Sequence, residues 1–172
     1  METSPIRPTQ PVKTTLCYLF RDGRFLMMLR NKKAHDANEG KWVGVGGKFL
    51  PGETPEECLR REVREETGFA LAGFTFHGVV HFVSDTWDNE DMYLYSSSEF
   101  EVDGVNGGGS GAPLPLPICN EGTFAWIPVG EIGGLSLWEG DRCFLRRVLE
   151  GATGVDMTLR YEGDSLVSCE ER

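Results

Sequence analysis

The stretch that decides the fold is Gly47-Lys48-Phe49-Leu50-Pro51-Gly52-Glu53-Thr54-Pro55-Glu56-Glu57-Cys58-Leu59-Arg60-Arg61-Glu62-Val63-Arg64-Glu65-Glu66-Thr67-Gly68-Phe69. Its punctuation predicts a helix from Thr54 to Thr67. Thr54 is a good N-cap, Pro55 suits the first helical position, and Glu57 stands three residues after the cap to complete a capping box. Gly68 is the natural stop. On a helical wheel Glu62, Glu65 and Glu66 fall at i, i+3 and i+4, so their carboxylates share one face. Leu59 and Val63 lie beside that face and can pack on a sheet, while Glu57, Arg60 and Arg64 point away.

This arrangement breaks two local preferences. At ~6 Å and an effective dielectric near ~20, each like-charged pair costs ~3 kcal/mol before salt screening. Glu65 and Glu66 also occupy the last turn, where the helix dipole disfavours anions. A solvated acidic surface is the ordinary explanation of such a face. A hard dication focused by oxygen ligands, Mg²⁺ or Mn²⁺, resolves both conflicts.

Outward from the helix, the chain alternates strands and turns. Residues 1–11 carry three prolines and read as a loose leader. Val12–Phe20 and Phe25–Leu29 are strand-like and flank the turn Arg21-Asp22-Gly23-Arg24, which predicts a hairpin. Lys32–Lys41 reads as a surface loop leading into a short strand, Trp42–Val45, broken by Gly46-Gly47. Downstream, Leu71–Ser84 and Met92–Val102 alternate as strands. Asn106–Pro117 is rich in Gly and Pro and reads as a mobile loop. Thr123–Ile127 suggests a strand, Asp141–Leu149 a helix, and Val155–Tyr161 with Ser165–Ser168 a terminal hairpin. The order predicts a single α+β domain over residues 12–172, with a mixed sheet between helices.

Bulk properties narrow the function. The chain has 172 residues and a formal net charge of −10, which argues against non-specific nucleic-acid binding but not against a small anionic substrate held by local cations and metal. No apolar run approaches a membrane span. Five widely spaced cysteines with no Cys-x-x-Cys pair favour reduced thiols in a cytoplasm.

The pattern Gly47-x₅-Glu53-x₇-Arg61-Glu62-Val63-x-Glu65-Glu66-x-Gly68-Phe69 resembles the Nudix box at every fixed and apolar position. With common residues each near ~7% of usage, chance would produce it with a probability on the order of 10⁻⁷. The resemblance implies the Nudix fold and hydrolysis of substrates in which a nucleoside diphosphate is linked to another group. It implies metal held by the Gly46 carbonyl and by Glu62, Glu65 and Glu66, with Arg61 orienting Glu62 and Glu53 fixing the arginine. Glu121 occupies the position where MutT-like members place a further glutamate, so it joins Glu62 as a candidate base and metal ligand.

The similarity extends beyond the box. Lys41-Trp42-x-Gly44-x-Gly46-Gly47-Lys48 and Thr123-Phe124-Ala125-Trp126 … Leu137-Trp138-Glu139-Gly140-Asp141 resemble MutT-like enzymes that hydrolyse oxidised purine nucleoside triphosphates. Together these stretches cover most of residues 13–161. The resemblance implies a base stacked on Trp138 and read by Asp141, with Lys33 and Lys48 as phosphate ligands. Two positions depart from it. Gly140 stands where a first aspartate is expected, and Val43 replaces an asparagine that contacts the purine. Glu139 is offset from the missing carboxylate by one residue.

The leading expectation is Mg²⁺-dependent hydrolysis of a nucleoside triphosphate to monophosphate and pyrophosphate, with 8-oxo-dGTP among the candidates. The alternatives are another Nudix activity, on ADP-ribose, dinucleoside polyphosphates or capped RNA, and a nucleotide-sensing module without catalysis. Product analysis separates the first two, because ADP-ribose yields two monophosphates and no pyrophosphate.

Overall fold

The computed structural model describes residues 10–102 and 116–172. Most of the expected leader and of the Asn106–Pro117 loop therefore lies outside the described residues. The chain opens with a hairpin of β1 (Val12–Arg21) and β2 (Arg24–Leu29). Asp22 and Gly23 both have positive φ, as a two-residue turn matched to strand twist requires, and Arg21 pairs with Arg24.

Next come β3 (Trp42–Val43) and β4 (Val45–Lys48), where the sequence suggested one strand ended by Gly46-Gly47. Instead β3 pairs with β2, while β4 pairs with β1, and both glycines lie inside β4. The glycines serve close approach rather than termination. A Cβ on Gly46 would lie 1.8 Å from the Thr15 carbonyl oxygen, and one on Gly44 would lie 2.8 Å from that of Cys17.

Helix α1 (Pro55–Thr67) has the expected capping box between Thr54 and Glu57, and Gly68 closes it at φ 75°. It is followed by the long strands β5 (Phe69–Ser84) and β6 (Glu90–Val102), each beginning two residues before its expected start. Then β7 (Thr123–Pro128) leads into a 3₁₀ turn, Val129–Gly134. Helix α2 (Glu139–Leu149) and the hairpin β8 (Val155–Glu162) with β9 (Ser165–Glu171) complete the chain.

The sheet order is β3-β2-β1-β6-β5-β8-β9, with β4 also on β1 and β7 also on β2. It is mixed, since β1–β6 and β5–β8 are parallel and the other pairs antiparallel. Alternation along β1 sorts the two cores. Tyr18 packs with Phe144, Leu145 and Val148 of α2, whereas Cys17 and Leu19 pack with Leu59 and Val63 of α1. In β6, Met92 and Leu94 join the α2 core, and Tyr95 joins the α1 core. The helices therefore cover opposite faces, and central strands buried on both sides lose the clean apolar–polar alternation of a half-exposed sheet. Among the described residues no helix is long and apolar enough to cross a membrane.

Candidate active site

Two cores sandwiching one sheet leave a cleft beside the β1–β4 pair. A cavity of about 730 Å³ opens there, within the range that holds a small-molecule ligand. Its wall includes Gly46, Lys48, Glu62, Glu66 and Glu121 on one side of the chemistry, and Trp138 and Asp141 on the other, with Lys33 and Val43 also on the lining. A second hollow, of about 600 Å³, is lined by one carboxylate, Glu99, and by no lysine, arginine or histidine. The first cavity is the one equipped for phosphate chemistry.

The helix α1 end is built around Arg61. Its Nε and Nη2 donate to the two oxygens of Glu53 at 2.7 and 2.9 Å, and Nη2 also reaches the Lys48 carbonyl at 3.0 Å. Its Nη1 donates to Glu62 at 2.8 Å and to Glu65 at 3.1 Å. Glu53 in turn accepts the Leu50 amide at 3.0 Å, and these bonds, the arginine's foremost, hold its carboxyl down to about 2. One guanidinium thus ties the loop, the end of β4 and the helix together, with charge-assisted bonds throughout.

The three helix glutamates differ in exposure, although Glu62 and Glu65 share Arg61 Nη1. The Glu62 side chain is 14% exposed, and that of Glu65 is 60% exposed and turned to Arg61, away from the cavity wall. Glu62 and Glu66, one turn apart, face inward. Burial raises both, against Arg61 for Glu62; Glu66 is pushed up to about 8 by desolvation and by the charges of Glu62 and Glu121. Room for Glu62 comes from Gly47, because a Cβ there would lie 2.6 Å from the Glu62 carboxyl carbon.

Glu66 supplies the test of whether this end fits a metal. Its Oε2 is buried and has no hydrogen-bond partner among the described residues, while the carboxyl as a whole feels Glu62 and Glu121 against the Gly46 backbone and Arg30. The candidate ligands on this wall, the Gly46 carbonyl and the carboxylates of Glu62 and Glu66, are all oxygen, the ligand type of a hard dication. As the side chains stand, no three His, Cys, Asp or Glu residues among those described converge on one point. The residues fit such an ion, with Glu62 and Glu66 already inward and Glu65 held aside by Arg61.

Glu121 precedes β7 and crosses to the loop after β2. Its oxygens accept from Arg30 at 2.7 Å and from Lys33 at 3.0 Å, and Arg30 also holds Asp36 at 2.6 Å. Arg30 is therefore more tightly engaged than Lys33.

At the α2 end, Trp138 is fixed from three sides. Its Nε1 donates to Asn38 at 2.9 Å, Lys41 Nζ sits 4.7 Å from the ring centroid, and the Tyr161 ring meets it edge-on at 5.1 Å. Asp141 is buried in the first turn of α2, and desolvation together with the Glu90 charge pushes its carboxyl up to about 8, against Lys41 and Arg142. Glu139 is exposed. Sequence reasoning missed Asn38, Tyr161 and Glu90, which also lines the cavity. Each reaches the site through long-range pairing, for which no local pattern exists.

Comparison with known proteins places this geometry. The NUDIX domain model matches residues 10–148. An uncharacterized Nudix hydrolase, YvcI of Bacillus subtilis (strain 168), is 26% identical over 151 residues, covering 87% of this chain and 86% of that protein. The oxidized purine nucleoside triphosphate hydrolase of Danio rerio is 33% identical over 131 residues, covering 74% of this chain and 72% of that protein. Among solved structures, a MutT protein from Bacillus halodurans superposes with a TM-score of 0.74 at 23% identity, covering 93% of this chain and 97% of that one, which shows the shared fold.

Proposed function

The chain belongs to the Nudix hydrolase family, and from that premise we propose that it hydrolyses a purine nucleoside triphosphate to the monophosphate and pyrophosphate with Mg²⁺ bound. The observation that carries this reading is the single cavity in which the inward carboxylates of α1 and the aromatic and acidic groups of α2 share one wall.

Glu62, Glu66 and the Gly46 carbonyl would hold the metal, with Glu65 joining them on leaving Arg61. Bound there, the dication supplies charge neutralisation of the phosphate oxygens and acidifies water. The chain's own groups do the rest. Glu62 accepts the proton of the attacking water; its second hydrogen-bond demand is already met by Arg61, which holds it in place. The water oxygen bonds to phosphorus as the bridging P–O bond breaks, and pyrophosphate leaves. Glu121 is the weaker candidate for the base, because both its oxygens are engaged by cations. Lys48 and Lys33, exposed on the cavity wall, bind the phosphate chain, and Trp138 stacks on the base with Asp141 at its edge.

A purified sample given Mg²⁺ and a panel of purine triphosphates should release monophosphate and pyrophosphate in equal amounts from at least one. No turnover across the panel, or release of orthophosphate in place of pyrophosphate, overturns the reading.

A further inference from the structure

The α2 end contains a carboxylate that the reaction does not use. Glu90 is the first residue of β6, which runs parallel to β1, and the Thr14 hydroxyl of β1 donates to its Oε1. It lines the same cavity as Asp141, and its charge is the largest electrostatic influence on that residue. Asp141 itself is 6% exposed and lines the cavity, where a ligand can hydrogen-bond its carboxyl.

The helix cannot supply a second reader beside Asp141. The Gly140 amide donates to the Tyr161 hydroxyl at 2.7 Å, and a Cβ at residue 140 would approach that oxygen to 2.5 Å and Leu159 Cδ1 to 2.7 Å. No side chain fits there, and Glu139 points to solvent. Among the described residues that line the cavity, the acid whose charge acts on Asp141 is Glu90, and it comes from the sheet.

We propose that Glu90 is a specificity-determining residue, forming with Asp141 a two-carboxyl reader of the nucleobase edge that favours a guanine-type base. The inference rests on the proposed nucleotide substrate with its base at Trp138. Burial raises both carboxyls, and the Glu90 charge adds to the rise at Asp141 against Lys41 and Arg142, so the pair can hold a proton and donate it as well as accept. The Thr14 hydroxyl and the Lys48 charge act against burial at Glu90 and favour it as the acceptor of the two. A guanine edge offers a carbonyl beside a ring N–H and an amino group, which answers one acid O–H and the acceptors of both carboxyls. An adenine edge, one amino group beside a ring nitrogen, leaves one carboxyl unanswered.

The test measures kcat and KM for guanosine and adenosine triphosphates with the full chain and Mg²⁺. Wild type should prefer guanine, and Glu90→Gln should shrink that preference roughly 10-fold, chiefly through KM, the scale of one hydrogen bond to a charged group. Glu90→Asp should recover part of it. An unchanged base ranking in a folded Glu90→Gln protein, or a wild type without guanine preference, overturns the proposal. If Glu90→Gln does not fold, Thr14→Val removes only the hydroxyl that fixes Glu90; it should shift the ranking about 3-fold, less than loss of the carboxylate because Glu90 itself stays and is not replaced by an amide, and no shift overturns the proposal. If wild type cleaves no triphosphate, the proposed function has failed, and the ranking is read instead from calorimetric binding of guanosine and adenosine monophosphates. A guanosine preference abolished by Glu90→Gln then supports the reader by itself, and equal or absent binding overturns it.

Discussion

Helices α1 and α2 deliver carboxylates to one cavity from opposite faces of the sheet, and they resolve the cost of doing so by different means. In α1, Glu62 and Glu66 lie toward the C-terminal end, where the dipole disfavours anions, and face each other across one turn. Arg61 satisfies one oxygen of Glu62, and Glu66 Oε2 is left for a cation. In α2, Asp141 sits in the first turn, where the dipole favours an anion, yet burial and the Glu90 charge raise its carboxyl. On the function proposed above, one end would be completed by a metal and the other by a proton and a hydrogen-bonding edge. Acids of the same type are thus given different surroundings, and the proposed function assigns charge development to one end and recognition to the other.

The largest break in this comparison would come from swapping charge for amide at each end. Glu62→Gln or Glu66→Gln should lower kcat by ~10³-fold or more with Mg²⁺ present, the scale of losing a group that acts only in the transition state. Asp141→Asn should act mainly on KM, by roughly 10-fold, as expected for lost binding to a charged or acid group. Steady-state kinetics on one triphosphate decide it, and equal losses of kcat at the two ends would mean that they are not separate devices.

The glycines sharpen the same contrast. Gly47→Ala places a Cβ against the Glu62 carboxylate, so it should cost roughly 10–100-fold in kcat and weaken the Mg²⁺ response. Gly140→Ala meets Tyr161 and Leu159 instead, so it should destabilise the fold by about 1–3 kcal/mol, as overpacking does. Denaturant melts alongside kinetics separate a shift in stability from a shift in rate.

The smallest effect is in stability against pH. Glu66 and Asp141 are both pushed up to about 8, above the carboxylate values of an unfolded chain. Between those limits the native state holds protons that the unfolded state has lost, so metal-free stability should fall as pH rises from about 5 toward 8. Mg²⁺ should raise Tm more at pH 8 than at pH 6, because it replaces the proton on Glu66. Glu66→Gln should remove this metal-dependent gain, and Asp141→Asn should flatten only the part that Mg²⁺ does not recover. An undiminished Mg²⁺ gain in Glu66→Gln would dissociate Glu66 from the metal.

The α1 end was legible because its signals are local. Thr54, Pro55, Glu57 and Gly68 specify a helix through bonds spanning a few residues, and the i, i+4 spacing of Glu62 and Glu66 follows from helix geometry. The wheel put Glu65 with them, but Arg61 is also four residues before Glu65 and draws it outward, a competition the wheel does not weigh. Gly46-Gly47 read as a break because glycine weakens a strand in isolation. Contact with β1 and with Glu62 reverses that meaning, since here a side chain is what the strand cannot accommodate. At the α2 end, Trp138 and Asp141 were legible by resemblance, and their partners were not. The parallel pairing of β1 with β6 sets Glu90 beside Thr14 across 76 positions of sequence, and Tyr161 reaches Gly140 from β8.

By itself, then, the sequence determined the capped helix, the spacing of its glutamates and the family to which they belong, because each rests on short-range geometry and residue identity. Only the tertiary structure decided which carboxylates face the cavity, which of them lacks a partner, and that Glu90 joins Asp141 where residue 140 has no room for a side chain. Those outcomes depend on strand register and on burial, and both are properties of the packed chain rather than of any segment within it.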